Sequence, residues 1–196
     1  SKTIYFTAGN EINNSIYKLN LNVNKIEIFH KENFNTGIQI SKDGKTLYFL
    51  KQRSDLPAEI FSHSTDGKNT LKRITSTNEE ILTKLEMNPV ETFWCEGANG
   101  DNVQSILVKP PFFDPNKKYP MMFLIHGGPQ GAWEDNFHYR WNLQIFAGAG
   151  YVVVAPNPRG STGYGQKFTD EISGDWGGKV YTDLMNSYDY ALKNFS

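Results

Sequence analysis

The chain has 196 residues, 38% of them hydrophobic and 14% aromatic against 21% charged, which supplies a packed core and excludes a disordered chain. A formal charge of -1 excludes the basic footprint of a nucleic-acid-binding protein or of a segment held on an anionic membrane. Cys95 is the single cysteine, so no intrachain disulfide or thiolate metal cluster forms, and no apolar run approaches the length of a membrane span.

The chain opens on Ser1-Lys-Thr-Ile-Tyr-Phe-Thr7, a strand pattern rather than a signal peptide. The N-terminus is expected to be missing, and any leader with it, so cytoplasm and periplasm or exterior both stay open. Thr3-Ile-Tyr-Phe6 recurs as Thr46-Leu-Tyr-Phe49, and Ser15-Ile-Tyr17 as Glu59-Ile-Phe61. The offset is roughly 43–44 residues, the size of a four-stranded propeller blade. Ser41-Lys-Asp-Gly-Lys45 and Thr65-Asp-Gly-Lys68 read as Asp-Gly hairpin turns, with further strands at 37–41 and 71–75. Two such units do not close a propeller. A small β-sandwich with accidental repetition is the alternative, but period and turn placement together favour terminal propeller blades over residues 1–88.

Met87-Asn-Pro89 breaks the repeat, and an α/β pattern occupies residues 89–196. Residues 91–96 and 102–108 flank a Gly97-Ala-Asn-Gly-Asp101 turn as an antiparallel hairpin. Residues 121–125 are continuously apolar, as suits a strand covered on both faces of a largely parallel sheet. Asp135 is placed to cap a helix carrying Phe137, Trp141 and Ile145, ended by Gly148 and Gly150. Val152–Val154 supply the next buried strand. A second helix from about Gly178 gathers Tyr181, Leu184, Tyr188, Ala191, Leu192 and Phe195 on one face. This order matches the N-terminal half of an α/β-hydrolase fold.

Acyl transfer needs N–H donors aimed at the oxygen that becomes negative in the tetrahedral intermediate. In α/β-hydrolases one donor follows the nucleophile and another lies on the loop after the third strand. His126-Gly-Gly-Pro129 occupies such a loop. Its glycines admit a close approach of substrate, and Pro129 has no N–H to donate. Gly128 is the first candidate oxyanion donor and Gly127 the second. The nucleophile elbow G-x-S-x-G occurs nowhere in the sequence. Half of an active site is therefore expected here, without its serine.

Other residues invite a role and are assigned differently. Ser161 lacks the spacing of an elbow and is expected to hydrogen-bond within its own loop. His126 precedes any possible nucleophile, whereas the triad histidine of this fold comes last, so it is expected beneath the oxyanion loop. Arg159 is expected to pin the glycine-rich loop through carbonyls or a carboxylate such as Asp175. Trp133 and Tyr164 are candidates for a substrate pocket, with ordinary packing as the alternative. His138, on the first helix, is a further candidate for the cleft. Gly160-Ser-Thr-Gly-Tyr-Gly165 has the glycine spacing of a dinucleotide fingerprint reversed, and Gly177-Gly-Lys179 lacks the rest of a phosphate loop. No metal and no cofactor is implied.

His126-Gly-Gly-Pro-Gln-Gly-Ala-Trp133, Asn157-Pro-Arg-Gly-Ser-Thr-Gly-Tyr-Gly-Gln-Lys-Phe168 and Gly174-Asp-Trp-Gly-Gly178 resemble the prolyl oligopeptidase family of serine peptidases. Within it the resemblance is strongest to the acylaminoacyl-peptidase and dipeptidyl-peptidase V branch. It covers Tyr119 to about Leu192, and more loosely the N-terminal repeats, as the last blades of the family's β-propeller. The resemblance implies a Ser-Asp-His triad lying beyond residue 196 and an oxyanion N–H from Gly128. It also implies hydrolysis of short peptides through an acyl-enzyme. Peptides are then the expected partners. An esterase of the same fold and a non-catalytic interaction protein are the alternatives. The resemblance sets residues 121–125 beside a nucleophile strand absent from the sequence. That would leave an open apolar edge, so the chain alone is expected to be inactive and not to be a stable monomer.

Overall fold

A computed structural model describes residues 2–66, 68 and 70–195. They form two compact units, one of residues up to Leu85 together with Glu134–Phe137, the other of Glu86–Trp133 and the residues from His138 onward.

The first unit is an open sheet of two antiparallel meanders. β1 (Thr3–Asn10), β2 (Asn13–Asn20) and β3 (Lys25–His30) form one. β4 (Phe34–Ile40), β5 (Thr46–Arg53), β6 (Leu56–Ser64) and the short β7 (Lys72–Arg73) form the other. The repeated threonines open β1 and β5, so the sequence repeat maps strand onto strand. The meanders join at one parallel pairing, Asn14 with Phe34. Side-chain amides reinforce it: Asn14 Nδ2 donates to Asn35 O at 2.8 Å, and Asn35 Nδ2 to Asn14 O at 2.9 Å. β5 alternates as a half-covered strand must, burying Leu47, Phe49 and Lys51 and exposing Tyr48 and Leu50. Leu47 and Phe49 join Ile16, Leu56 and Phe61 in the core, each such side chain contributing about 1.5–3 kcal/mol.

The first Asp-Gly turn is built as expected. Ser41 Oγ donates to Asp43 Oδ1 at 2.6 Å, and Gly44 takes a φ of +71° that favours glycine. In the second turn Gly67 lies outside the described residues, while Asp66 Oδ1 accepts from Lys68 N at 3.0 Å. A single helical turn, α1 (Glu79–Leu82), follows β7.

Buried within this unit, Lys51 Nζ lies 2.9 Å from His30 Nε2. Burial, and then the Lys51 charge, push the His30 imidazole down to about 4. An unfolded histidine titrates near about 6.5. Between those values the unfolded chain takes up a proton that the folded one refuses, so stability falls as pH falls through that window. His30 contributes its full stability above about pH 6.5 and has lost it near pH 4. Urea midpoints measured across this range should drop with acidification, and His30→Asn should flatten the drop. An equally steep drop in the variant would show that other groups cause it.

The second unit carries a four-stranded mixed sheet in the order β10-β11-β9-β8. The hairpin of β8 (Glu91–Glu96) and β9 (Asn102–Val108) leads to β10 (Met121–Phe123) and β11 (Val152–Asn157). β10 runs parallel to β11, pairing Met121 with Val152, and β11 runs antiparallel to β9. Every residue of β11 is buried, which accounts for its unbroken apolar start. Phe93, Leu107, Val152, Val154 and Ala191 make the core.

The helices differ from expectation. No helix begins at Asp135. α2 spans only Leu143–Gly148, capped by Asn142, whose side chain accepts from Gln144 N at 2.9 Å. Asp135 is instead buried in the first unit, accepting from Ser54 N at 2.9 Å and Asn33 Nδ2 at 2.6 Å. A carboxylate with two donors there has no need of a helix terminus. α3 (Gln166–Asp170) is short, and α4 (Lys179–Phe195) is the one long helix among the described residues. α4 buries Asp183, Ser187 and Ala191, one turn apart, while Tyr181 and Leu192 from the expected apolar face are exposed.

Candidate functional site

β10 and β11 are parallel neighbours, so the segments leaving their C-terminal ends, 124–133 and 157–165, emerge at the same edge of the sheet, where open α/β sheets place their sites. The first segment turns at Gly127 and Gly128. Gly128 has φ +138°, and a Cβ there would lie 3.0 Å from Gln130 N, so the position requires glycine.

His126, half-buried, governs how this turn is presented. Its Nδ1 lies 3.0 Å from Gly127 O. In a trans peptide the C=O and the following N–H point to opposite sides. The contact that draws the Gly127 carbonyl toward His126 therefore turns the Gly128 N–H away from it. Both glycines are exposed, and among the described residues no protein acceptor takes either N–H. Such an N–H is free to donate to a developing negative charge.

On its other side the imidazole Nε2 lies 2.9 Å from Ser161 Oγ, whose hydroxyl donates to Pro158 O at 2.6 Å. A proton on both ring nitrogens completes these contacts together with the one to Gly127, and the neutral ring leaves one unmet. Burial pulls the other way and holds the His126 pKa below its ordinary value, against the opposing contact with Gly127. Ser161 is fully buried and closed on its own loop, the arrangement its sequence context led us to expect.

Trp133 and Tyr164 are both half-buried, and the Asn157 side chain joins the two segments between them. Trp133 Nε1 donates to Leu124 O at 3.0 Å, closing segment 124–133 on itself. The Asn157 amide pairs with the Trp133 backbone, accepting from its N at 2.7 Å and donating to its O at 2.9 Å. Tyr164 hydroxyl donates to Gln104 Oε1 and accepts from Asn157 Nδ2, each at 2.8 Å. His138 is exposed just ahead of a turn rather than on a helix, accepting from Trp141 N at 2.9 Å.

Arg159 is 1% exposed and held from several directions. Its backbone N donates to Asp183 Oδ2 at 2.9 Å, and its Nε lies 3.2 Å from the same oxygen. Nη1 donates to Asp101 Oδ2 at 3.0 Å and Glu171 Oε2 at 2.6 Å, and Nη2 to Ala98 O. Burial opposes the charge, but Glu171, Asp183 and Asp101 outweigh it and raise the guanidinium pKa. The carboxylate named from sequence, Asp175, is elsewhere: it caps α4, accepting from Lys179 N at 3.1 Å. Asp183 and Asn157 were both missed. A charged residue in register with Ser187 and Ala191 on the inner side of α4 was the available signal for Asp183.

Residues 137–196 match the sequence profile of the prolyl oligopeptidase family. The chain is 46% identical over 136 residues to a probable dipeptidyl-peptidase 5 of Arthroderma benhamiae, covering 69% of this chain and 19% of that protein. It is 43% identical over 175 residues to a probable dipeptidyl-peptidase 5 of Aspergillus clavatus, covering 85% of this chain and 24% of that one. Over these residues the chain is similar to the prolyl oligopeptidase family. A crystallised acylaminoacyl peptidase of Pyrococcus horikoshii, 26% identical, superposes with a TM-score of 0.82 over 97% of this chain and 29% of its own. The chain spans about a fifth to a quarter of the length of the curated relatives it matches. The names of its relatives are those of peptidases.

Proposed function

We propose that this chain is part of a serine peptidase that cleaves peptides through an acyl-enzyme, and that it supplies the oxyanion loop while the nucleophile, acid and base lie outside these residues. In this reading β1–β7 are terminal blades of a β-propeller over residues 1–88. β8–β11 with α2–α4 are then the N-terminal half of an α/β-hydrolase domain over residues 89–196. The observation that carries the reading is the orientation of the Gly127–Gly128 peptide, its carbonyl held by His126 at 3.0 Å and its N–H on an exposed residue, without a protein acceptor among the described residues.

As a serine oxygen adds to the scissile carbonyl, the carbonyl oxygen takes on the negative charge. The Gly128 N–H, already fixed through the Gly127 carbonyl, stabilises that charge without reorganising at the moment of reaction. Gly127 is the second candidate for the same role. Trp133 and Tyr164 offer ring surfaces to a substrate side chain, since their polar atoms are engaged by Leu124, Asn157 and Gln104. An ester hydrolase would use the same loop; the peptidase names of the relatives favour an amide substrate, released as short N-terminal pieces or acylated residues.

Fluorophosphonate labelling tests this directly. The 196-residue chain contains no G-x-S-x-G, so alone it should take up no stoichiometric label. The intact polypeptide that contains it should label at one serine and hydrolyse dipeptidyl or acylaminoacyl arylamides faster than simple esters. Labelling of Ser161, or an intact polypeptide that resists the reagent, would refute the proposal.

A further inference from the structure

We propose that Arg159 is the positioning residue of the Gly127–Gly128 peptide, acting through the loop 157–162. The inference rests on the oxyanion reading above and names what holds that donor in place. The loop grips segment 126–133 at three points. The Asn157 amide brackets the Trp133 backbone at 2.7 and 2.9 Å, Ser161 Oγ meets His126 Nε2 at 2.9 Å, and Thr162 N donates to Gly131 O at 2.9 Å. Arg159 sits between these grips and is itself immobilised. Its partners come from the β8–β9 turn (Ala98 and Asp101), from Glu171 at the end of α3 and from Asp183 on α4.

The neighbouring backbone leaves little freedom to compensate. Gly160 has φ +96°, and a Cβ there would lie 2.9 Å from the Ile172 Cβ. The loop is thus pressed against Ile172 at Gly160 and tied to His126 at Ser161, the two residues that follow Arg159. A guanidinium suits the place because its planar fork reaches two carboxylates and a carbonyl at once, while the backbone N takes a further oxygen of Asp183. A lysine carries the same charge but not the fork. Loosening Arg159 should let loop 157–162 drift, and with it Ser161, His126 and the direction of the Gly128 N–H. Misplacing a catalytic donor by about 1 Å costs on the order of 10²-fold in rate.

The experiment uses the intact polypeptide and a peptide arylamide substrate. Arg159→Lys should lower kcat by about 10²-fold, with KM moving less than about threefold, because the lost interaction is felt in the transition state. Glu171→Gln, which leaves the buried Asp183 contacts in place, is the variant of choice should Arg159→Lys not fold. It should show the same split at smaller size. Combining Arg159→Lys with Ser161→Ala should cost less than the product of the single losses, since both act on one path. The ¹⁵N resonances of the His126 imidazole should shift in Arg159→Lys, a readout independent of turnover. A folded Arg159→Lys and Glu171→Gln with unchanged kcat, or with losses carried wholly by KM, would overturn the inference. Fully multiplicative losses, or unmoved His126 resonances, would overturn it as well. An unsubstituted polypeptide with no hydrolytic activity would instead overturn the oxyanion reading on which it rests.

Discussion

Replacing the Gly128 amide with an ester should lower kcat of the intact polypeptide by about 10²–10³-fold and change KM far less. The ester, introduced as an α-hydroxy acid at position 128, deletes the N–H and leaves the backbone path open. Side-chain substitutions are blunter here. Gly128→Ala keeps the N–H but forces a Cβ onto a φ of +138°, 3.0 Å from Gln130 N. Gly128→Pro removes the N–H but fixes φ near about -65°, far from the native value. Donors of this kind act on charge that exists only in the transition state, so the loss belongs in kcat. Steady-state kinetics on a peptide arylamide measures it. An unchanged kcat in the folded ester would transfer the role to Gly127 or remove it from this loop.

Asp183→Ala should destabilise the second unit by about 3–5 kcal/mol, the usual cost of removing one partner of a buried ion pair. Asp183 is fully buried. One carboxylate oxygen accepts from Ala98 N at 2.8 Å, the other from Arg159 N at 2.9 Å. Truncation therefore orphans two backbone donors and weakens the compensation of a guanidinium that is itself 1% exposed. The site was built around this carboxylate: a Cβ on Gly97 would lie 2.4 Å from Asp183 Oδ1. Asp183→Asn keeps an acceptor for one donor while losing the charge, and should fall between wild type and alanine. Urea unfolding followed by a probe in the second unit reads the difference. A loss below about 1 kcal/mol for the alanine variant would show that Arg159 is compensated elsewhere.

What could be read from sequence divides by how local the cause is. The hairpin of β8 and β9 runs over the residues that its alternation and Gly-Ala-Asn-Gly turn indicated, because both signals sit within a few residues. The glycines at 127 and 128 were legible as a turn. Their φ values and the direction of the N–H were not, because they depend on His126, which is held in turn by Ser161, 35 positions away. Asp135 was misread as a helix cap because its true partners, Asn33 and Ser54, lie 102 and 81 positions away. Periodicity along α4 favoured the large apolar residues. The helix instead turns inward the line from Asp183 to Ala191, because the carboxylate finds its donors on the β8–β9 turn and at Arg159. Distance in sequence hid Asp101, 58 positions from Arg159, whereas Glu171 lies only 12 away and is set against the guanidinium by the short α3 that precedes it.

The orientation of the Gly128 N–H is open to one direct measurement, a crystal structure of the intact polypeptide carrying a peptidyl boronate on its serine. The boronate oxygen that mimics the oxyanion should lie within about 3 Å of Gly128 N, with His126 Nδ1 still on the Gly127 carbonyl. An adduct whose oxygen is held by other donors, with the Gly128 N–H facing away from it, would contradict the assignment of this loop.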